Sequence, residues 1–183
     1  MGGLFIASCL NSLMGRYDAE RYEPTIQPCM RANLFLRFDG SNLNLSSRTQ
    51  RGIDYSAVSG KPENGKFIYS VEQQKKANEG PIPRGRYWIS PKELWSNTWY
   101  KRGSEAAWGD YRITIHPHSK TETYGRGGFF IHGGSSPGSI GCIDLAYHMN
   151  KFINDLRDQL ETSSGHRGTK RQSNCYIDLQ VVY

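Results

Sequence analysis

The stretch Phe130-Ile131-His132-Gly133-Gly134-Ser135-Ser136-Pro137-Gly138-Ser139-Ile140-Gly141-Cys142-Ile143-Asp144 reads as the apolar end of a strand, a glycine-rich loop and a small-residue elbow carrying a thiol. Glycine permits tight turns and close backbone approach, so such a loop can return an imidazole to a thiol further along the chain. Beyond it, Leu145, Met149, Phe152, Ile153, Leu156 and Leu160 recur at three- and four-residue steps. That spacing predicts one amphipathic helix over 145–160. Asp144 is its expected N-cap, accepting from first-turn amides, which would set Cys142 immediately before a helix N-terminus. The partial positive charge of unpaired amides there favours a thiolate.

Working outward, strand-forming stretches dominate. Leu34–Phe38 and Ser41–Leu45 flank Asp39-Gly40, a dipeptide suited to a hairpin turn, and Gly52–Val58 is a third strand candidate. A polar stretch from Ser59 to Gly80 has room for a short helix near Gln73–Asn78 and ends in the breaker Gly80-Pro81-Ile82-Pro83. Strands are then expected at Arg84–Ser90, Tyr111–His116, Gly128–His132 and along the C-terminal run Cys175–Tyr183. The chain therefore reads as β-rich α+β with one principal helix after Cys142. Residues 1–30 show neither period and are taken as an N-terminal extension of unknown role, with 31–183 as the regular domain.

At 183 residues the chain is long enough to bury a core without disulfide staples. No apolar run reaches bilayer-spanning length, so stable membrane insertion is not expected. Leu4-Phe5-Ile6-Ala7-Ser8-Cys9 lacks a preceding basic residue and is too short for a secretory h-region, so synthesis in the cytoplasm without a signal peptide is expected. The net charge of +6 suits polyanionic or carboxylate-rich partners. Only Arg167-Gly168-Thr169-Lys170-Arg171 forms a basic knot, and without a basic helix or aromatic-basic motif nucleic acid is not expected as a partner. The four cysteines fit no CxxC pair. Cys9 and Cys29 are open to pairing in an oxidising compartment, and Cys175 reads as a buried inert thiol.

The chemistry the pattern supports is nucleophilic. His132 is the best-placed acceptor for the Cys142 proton, and backbone amides around Gly141 and Cys142 are candidates for an oxyanion hole. Asp144 opposes thiolate formation by its charge and is assigned to capping. His116-Pro117-His118 with His132, Cys142 and His148 lacks HExxH or paired-cysteine spacing, so no metal and no cofactor are expected.

His132-Gly133 followed by Ser139-Ile140-Gly141-Cys142-Ile143 resembles the His-Gly and Ser-x-Gly-Cys signature of YkuD-type L,D-transpeptidases, and Pro83-Arg84-Gly85-Arg86-Tyr87-Trp88-Ile89 resembles a strand of that fold. Housekeeping members usually carry arginine two places after the cysteine, where Asp144 stands here. The form Ser-x-Gly-Cys-Ile-Asp, with Phe129–Gly134, Ala57–Pro62 and Gly80–Pro83, is similar to L,D-transpeptidase effectors delivered by type VI secretion.

The resemblance implies a YkuD-like catalytic fold and an antibacterial enzyme acting on peptidoglycan in the periplasm of a target Gram-negative cell. Cys142 would attack the diaminopimelate carbonyl of a tetrapeptide stem and expel D-alanine, with His132 as base and then acid. Water as acceptor gives L,D-carboxypeptidase activity, a free D-amino acid gives exchange, and a second stem gives a cross-link. Gly133 or a near neighbour would orient the imidazole through its carbonyl, and Ser139 would shape the elbow. A cognate immunity protein and type VI secretion components are the implied partners. The alternatives are a housekeeping L,D-transpeptidase that cross-links the cell's own wall and a non-catalytic wall-binding module. Trp99 and Lys101, in an aromatic-basic segment from Leu94 to Arg102 with Trp108 after it, are candidate substrate contacts, as are Arg126, ahead of the catalytic strand, and His116, at a strand end near the cleft.

Overall fold

The computed structural model describes residues 23–29, 33–47, 51–96, 106–162 and 174–183, and for 161–162 the backbone alone. Strand alternation builds the first hairpin. In β1 (Phe35–Phe38) and β2 (Asn42–Ser46), Leu36, Phe38, Leu43 and Leu45 point into the core while their neighbours face out. The turn between them is closed by Asp39, whose carboxylate accepts from the amides of Ser41 and Asn42 at 3.0 and 2.8 Å. β3 (Ile53–Ser56) continues the meander, and a single residue, Ala57, separates it from β4 (Val58–Ser59).

The polar stretch contributes α1 (Val71–Lys75), capped by the Ser70 hydroxyl, which accepts from the Gln73 amide. β5 (Gly85–Ile89), β6 (Leu94–Ser96), β7 (Tyr111–Pro117), β8 (Phe129–His132) and β9 (Ile143–Asp144) follow, then a 3₁₀ turn at Ala146–His148, α2 (Met149–Thr162) and β10 (Ile177–Val181). The strands join in the order β3-β2-β1-β10-β5-β7-β8-β9-β4, with β6 on the edge of β7. Because β3 and β4 are chain neighbours yet stand at opposite ends of this order, the sheet curls back on itself towards a barrel. β7 is the hinge of that curl: residues 116–117 pair with β5, while 111–115 pair with β6 and β8.

The apolar stripe of α2 closes the core. Met149, Phe152, Ile153 and Leu156 are buried, and Phe152 meets Tyr55 edge to face at 5.4 Å. The Tyr55 hydroxyl donates to the Asp155 carboxylate at 2.6 Å, tying β3 to the helix. The β-rich α+β architecture with one principal helix after Cys142 is thus as the sequence predicts, but the start of that helix and its cap are not. It starts at Met149, after a 3₁₀ turn at whose N-cap stands Leu145, with no side-chain cap. Asp144 is a strand residue and does not cap α2, so Cys142 precedes a short strand and is not set at a helix N-terminus.

The cysteine expectations are also corrected. Cys29 pairs with Cys175 across 146 residues of sequence, so neither a Cys9–Cys29 bridge nor an inert Cys175 thiol is present. Part of the N-terminal extension is stitched to the domain there: Pro28 bridges Tyr176, and Glu23 accepts from the Ser119 hydroxyl at 2.7 Å and lies 2.7 Å from the His118 ring. Among the described residues no helix is long and apolar enough to cross a membrane.

Candidate active site

The site lies where β7, β8 and β9 run side by side. β8 ends on His132, and the loop that leaves it comes back as β9, parallel to β8, with Asp144 paired to His132. As directly paired residues, His132 and Asp144 present their side chains on one face of the sheet, and Cys142 lies two residues before Asp144 where the loop returns to β9. Cys142, His132, Ser139 and Asp144 are all buried.

Several bonds hold the returning elbow. The Ser139 hydroxyl donates to the Cys142 carbonyl at 2.6 Å, and the Ser139 amide donates to the Gly60 carbonyl at 3.1 Å. The Asp144 carboxylate accepts from the amides of Gly138 at 2.9 Å and Ala146 at 2.7 Å, spanning the elbow from both sides. Asp144 is therefore a brace for the loop, which is the local reason for its burial. Burial pushes its carboxyl above the ordinary aspartate range, against the opposing pull of His132 and the two amides.

Gly141 has φ +124°, and a Cβ there would stand 2.6 Å from a guanidinium nitrogen of Arg126. That guanidinium donates to the carbonyls of Gln74 and Pro81 at 2.6 Å and of Gly80 at 2.8 Å, and packs over Phe129. The structure thus engages Arg126 in clamping the Gly80-Pro81 breaker against the elbow.

At His132, Nδ1 lies 2.5 Å from the Gly133 carbonyl oxygen. A carbonyl only accepts, so Nδ1 carries the proton and the lone pair resides on Nε2. Nε2 is buried and has no hydrogen-bond partner among the described residues. The Asp144 carboxylate stands 3.8 Å from Nδ1, too far for a hydrogen bond, so the backbone carbonyl is the group that orients the ring. Burial above all lowers the imidazole below its ordinary value, with Arg112 acting in the same direction, while Asp144 and the Gly133 carbonyl pull upward. A neutral ring whose buried Nε2 has no hydrogen-bond partner among the described residues is the form a general base requires.

A helical piece at 106–108 packs over this loop. The Gly133 amide donates to the Trp108 carbonyl at 3.2 Å, the Ser135 amide to the Ala106 carbonyl at 2.9 Å, and the Trp108 ring meets His132 at 5.1 Å. Gly133 is hemmed in by this arrangement, since a Cβ on it would stand 2.7 Å from the Ala146 carbonyl.

Cys142 itself is disulfide-bonded, and no described cysteine is free. The site is therefore seen with its sulfur oxidised. Trp99 and Lys101 lie outside the described residues. His116 is not part of the site: it stacks on Trp88 at 4.3 Å, and its Nε2 lies 2.6 Å from the Glu93 carboxylate. Its place on β7, four residues from the partner of His132, is about 13 Å along the strand. No cluster of described residues could hold a metal ion.

Arg112 is a site residue the sequence reading missed. It is the cross-strand partner of His132, with its guanidinium 5.1 Å over Trp108 and 5.6 Å over Phe130. A half-buried arginine on an alternating strand resembles any outward-facing residue until the neighbouring strand is known.

Comparison with curated proteins gives no match. Among solved structures, an L,D-transpeptidase from Mycobacterium smegmatis shows a slight likeness, with 15% identity and a TM-score of 0.40 over 82% of this chain. The chain spans 59% of that protein's length. The family model described as "Tlde1 domain" matches residues 54–168, which run from within β3 through α2 and include every element of the site. By that match, the chain belongs to the Tlde1-domain family, the type VI secretion L,D-transpeptidase effectors.

Proposed function

We propose that this protein is an antibacterial effector that modifies peptidoglycan as a cysteine L,D-transpeptidase and L,D-carboxypeptidase, with Cys142 as nucleophile and His132 as base. The observation that carries the reading is the His132 ring, held by the Gly133 carbonyl through Nδ1 with its Nε2 buried and bare. In the reduced protein, Nε2 takes the Cys142 thiol proton and the thiolate adds to the diaminopimelate carbonyl of a tetrapeptide stem. Collapse of the adduct breaks the bond to D-alanine, and the same proton passes from Nε2 to the leaving amine. Water, a D-amino acid or a second stem then resolves the thioester, giving hydrolysis, exchange or a cross-link respectively.

The family supports action on the wall of a target Gram-negative cell, in its periplasm, with an immunity protein and type VI secretion components as partners. Incubation of the reduced protein with purified tetrapeptide muropeptides, followed by mass spectrometry, tests the reading. Loss of D-alanine, or its exchange for an added D-amino acid, is expected from the wild type and not from Cys142→Ala. Identical products from both would overturn it in favour of a wall-binding module. Expression in the periplasm of a susceptible host is expected to stop growth only with Cys142 intact. Absence of a growth defect with active enzyme would point to remodelling of the producer's own wall.

A further inference from the structure

One row of paired residues crosses the sheet at the site: Trp95 on β6, Arg112 on β7, His132 on β8 and Asp144 on β9. Directly paired residues present their side chains on one face, with Cβ atoms about 5 Å apart. The imidazole therefore stands between a guanidinium and a carboxylate. The carboxylate is occupied, since Asp144 braces the elbow through two amides. The guanidinium is not occupied in that way. Arg112 lies on the faces of Trp108 and Phe130, its Nε is buried with no hydrogen-bond partner, and no described carboxylate lies within ion-pair distance of it. A cation desolvated on aromatic rings with an unmet donor is a receptor for a planar anion, which arginine binds through two parallel N–H donors.

We propose that Arg112 receives the terminal carboxylate of the D-amino acid that leaves from, or enters, the acyl-enzyme. The inference rests on the reading of Cys142 and His132 as the acyl-transfer pair. In that reaction His132 Nε2 delivers its proton to the leaving amine. In an amino acid a single carbon separates that nitrogen from the carboxylate, so a carboxylate leaving past His132 comes within reach of the residue paired with it. Asp144, on the other flank of the imidazole, repels a carboxylate and leaves the Arg112 side as the favourable one. By microscopic reversibility an incoming D-amino acid uses the same contact. Trp95, half exposed beside Arg112, gives the subsite an apolar wall. The enzyme would on this account require a free C-terminus on the donor stem.

The test compares a tetrapeptide stem ending in a free carboxylate with the same stem ending in a carboxamide. With reduced wild-type protein, kcat/KM is expected to favour the acid by ~10–100-fold, the range for a charge-assisted contact. Arg112→Gln is expected to abolish the preference, so that acid and amide are turned over equally well by that variant, and Arg112→Lys to retain an intermediate preference. Exchange with a D-amino acid and with its amide should follow the same pattern. Equal turnover of acid and amide by the wild type, or an equal loss on both in Arg112→Gln, would overturn the proposal.

Calorimetric binding to Cys142→Ala separates this from the acyl-transfer reading. The acid is expected to bind about tenfold more tightly than the amide, and the difference should vanish when Arg112→Gln is added. If binding discriminates but the wild type turns over neither stem, the acyl-transfer reading fails and the carboxylate receptor stands. If binding does not discriminate, the receptor fails. Should Arg112→Gln not fold, as judged by circular dichroism, Arg112→Lys carries the comparison, and a full wild-type preference in it would overturn the two-donor contact.

Discussion

The Nδ1 of His132 donates to the carbonyl oxygen of the very next residue, Gly133, at 2.5 Å, while the Asp144 carboxylate stands back at 3.8 Å. A backbone carbonyl cannot be protonated or rotated away, so the tautomer is set by the chain itself. Gly133 meets the steric demand of that turn, because any side chain there would strike the Ala146 carbonyl. Replacing His132 by alanine is accordingly expected to lower D-alanine release by about 10³-fold and to slow alkylation of the reduced Cys142. Unchanged alkylation in His132→Ala would argue that another group takes the thiol proton.

Activity should persist into mild acid. The base must be neutral, and burial with Arg112 holds His132 below the ordinary imidazole value of about 6.5. The acid limb of kcat/KM is therefore expected below that pH. Asp144 raises the His132 value, so Asp144→Asn moves the limb further down, whereas Arg112→Gln moves it up. A wild-type limb above 6.5 would contradict this account. The same group affects stability: below about 6.5 the unfolded imidazole is protonated while the folded one stays neutral, so its contribution falls as pH drops from 6.5 towards the folded value.

The clamp at Gly141 is testable by stability. Gly141→Ala forces a side chain into φ +124° and against the Arg126 guanidinium, itself tied to three carbonyls. A loss of about 1–3 kcal/mol is expected in denaturant unfolding. Arg126→Lys, with one nitrogen in place of two, should lose a similar amount, about 1–3 kcal/mol, by leaving carbonyls unmet. If Arg126→Lys unfolds like the wild type, the clamp is not a stabilising element.

Removing the Cys29–Cys175 bridge by the double serine variant should cost about 2–4 kcal/mol, because the bridge closes a loop of 146 residues in the unfolded chain. The thermal midpoint is expected to fall, while D-alanine release below the transition remains. Loss of activity in a folded double variant would show that the bridge also shapes the site.

Cys142 is in a disulfide, and a disulfide sulfur is not a nucleophile towards a carbonyl. Protein kept oxidised is expected to release no D-alanine and to resist iodoacetamide at Cys142; thiol reductant should restore both. Full activity in protein whose Cys142 is shown by mass spectrometry to be paired would contradict the assignment of the nucleophile.

Most strands could be read from the chain because their signal is local. Leu36 and Phe38 alternate against Leu43 and Leu45, and the 3.6-residue stripe from Met149 to Leu156 marks a helix wherever it packs. His132 and Cys142 were readable for a similar reason: a glycine-rich loop between an apolar strand and a small-residue elbow limits what the chain can do there. Asp144 went wrong because a carboxylate two residues after a turn serves equally as an N-cap or as a brace. The choice was made by β9 pairing in parallel with β8, a non-local bond pattern. Cys175 finds Cys29, and Arg112 finds His132, only once strands distant in sequence lie side by side. Periodicity and small residues thus specified the elements and the proposed His132–Cys142 pair, whereas the partners of each side chain depended on register, which is set by the packing of the whole sheet.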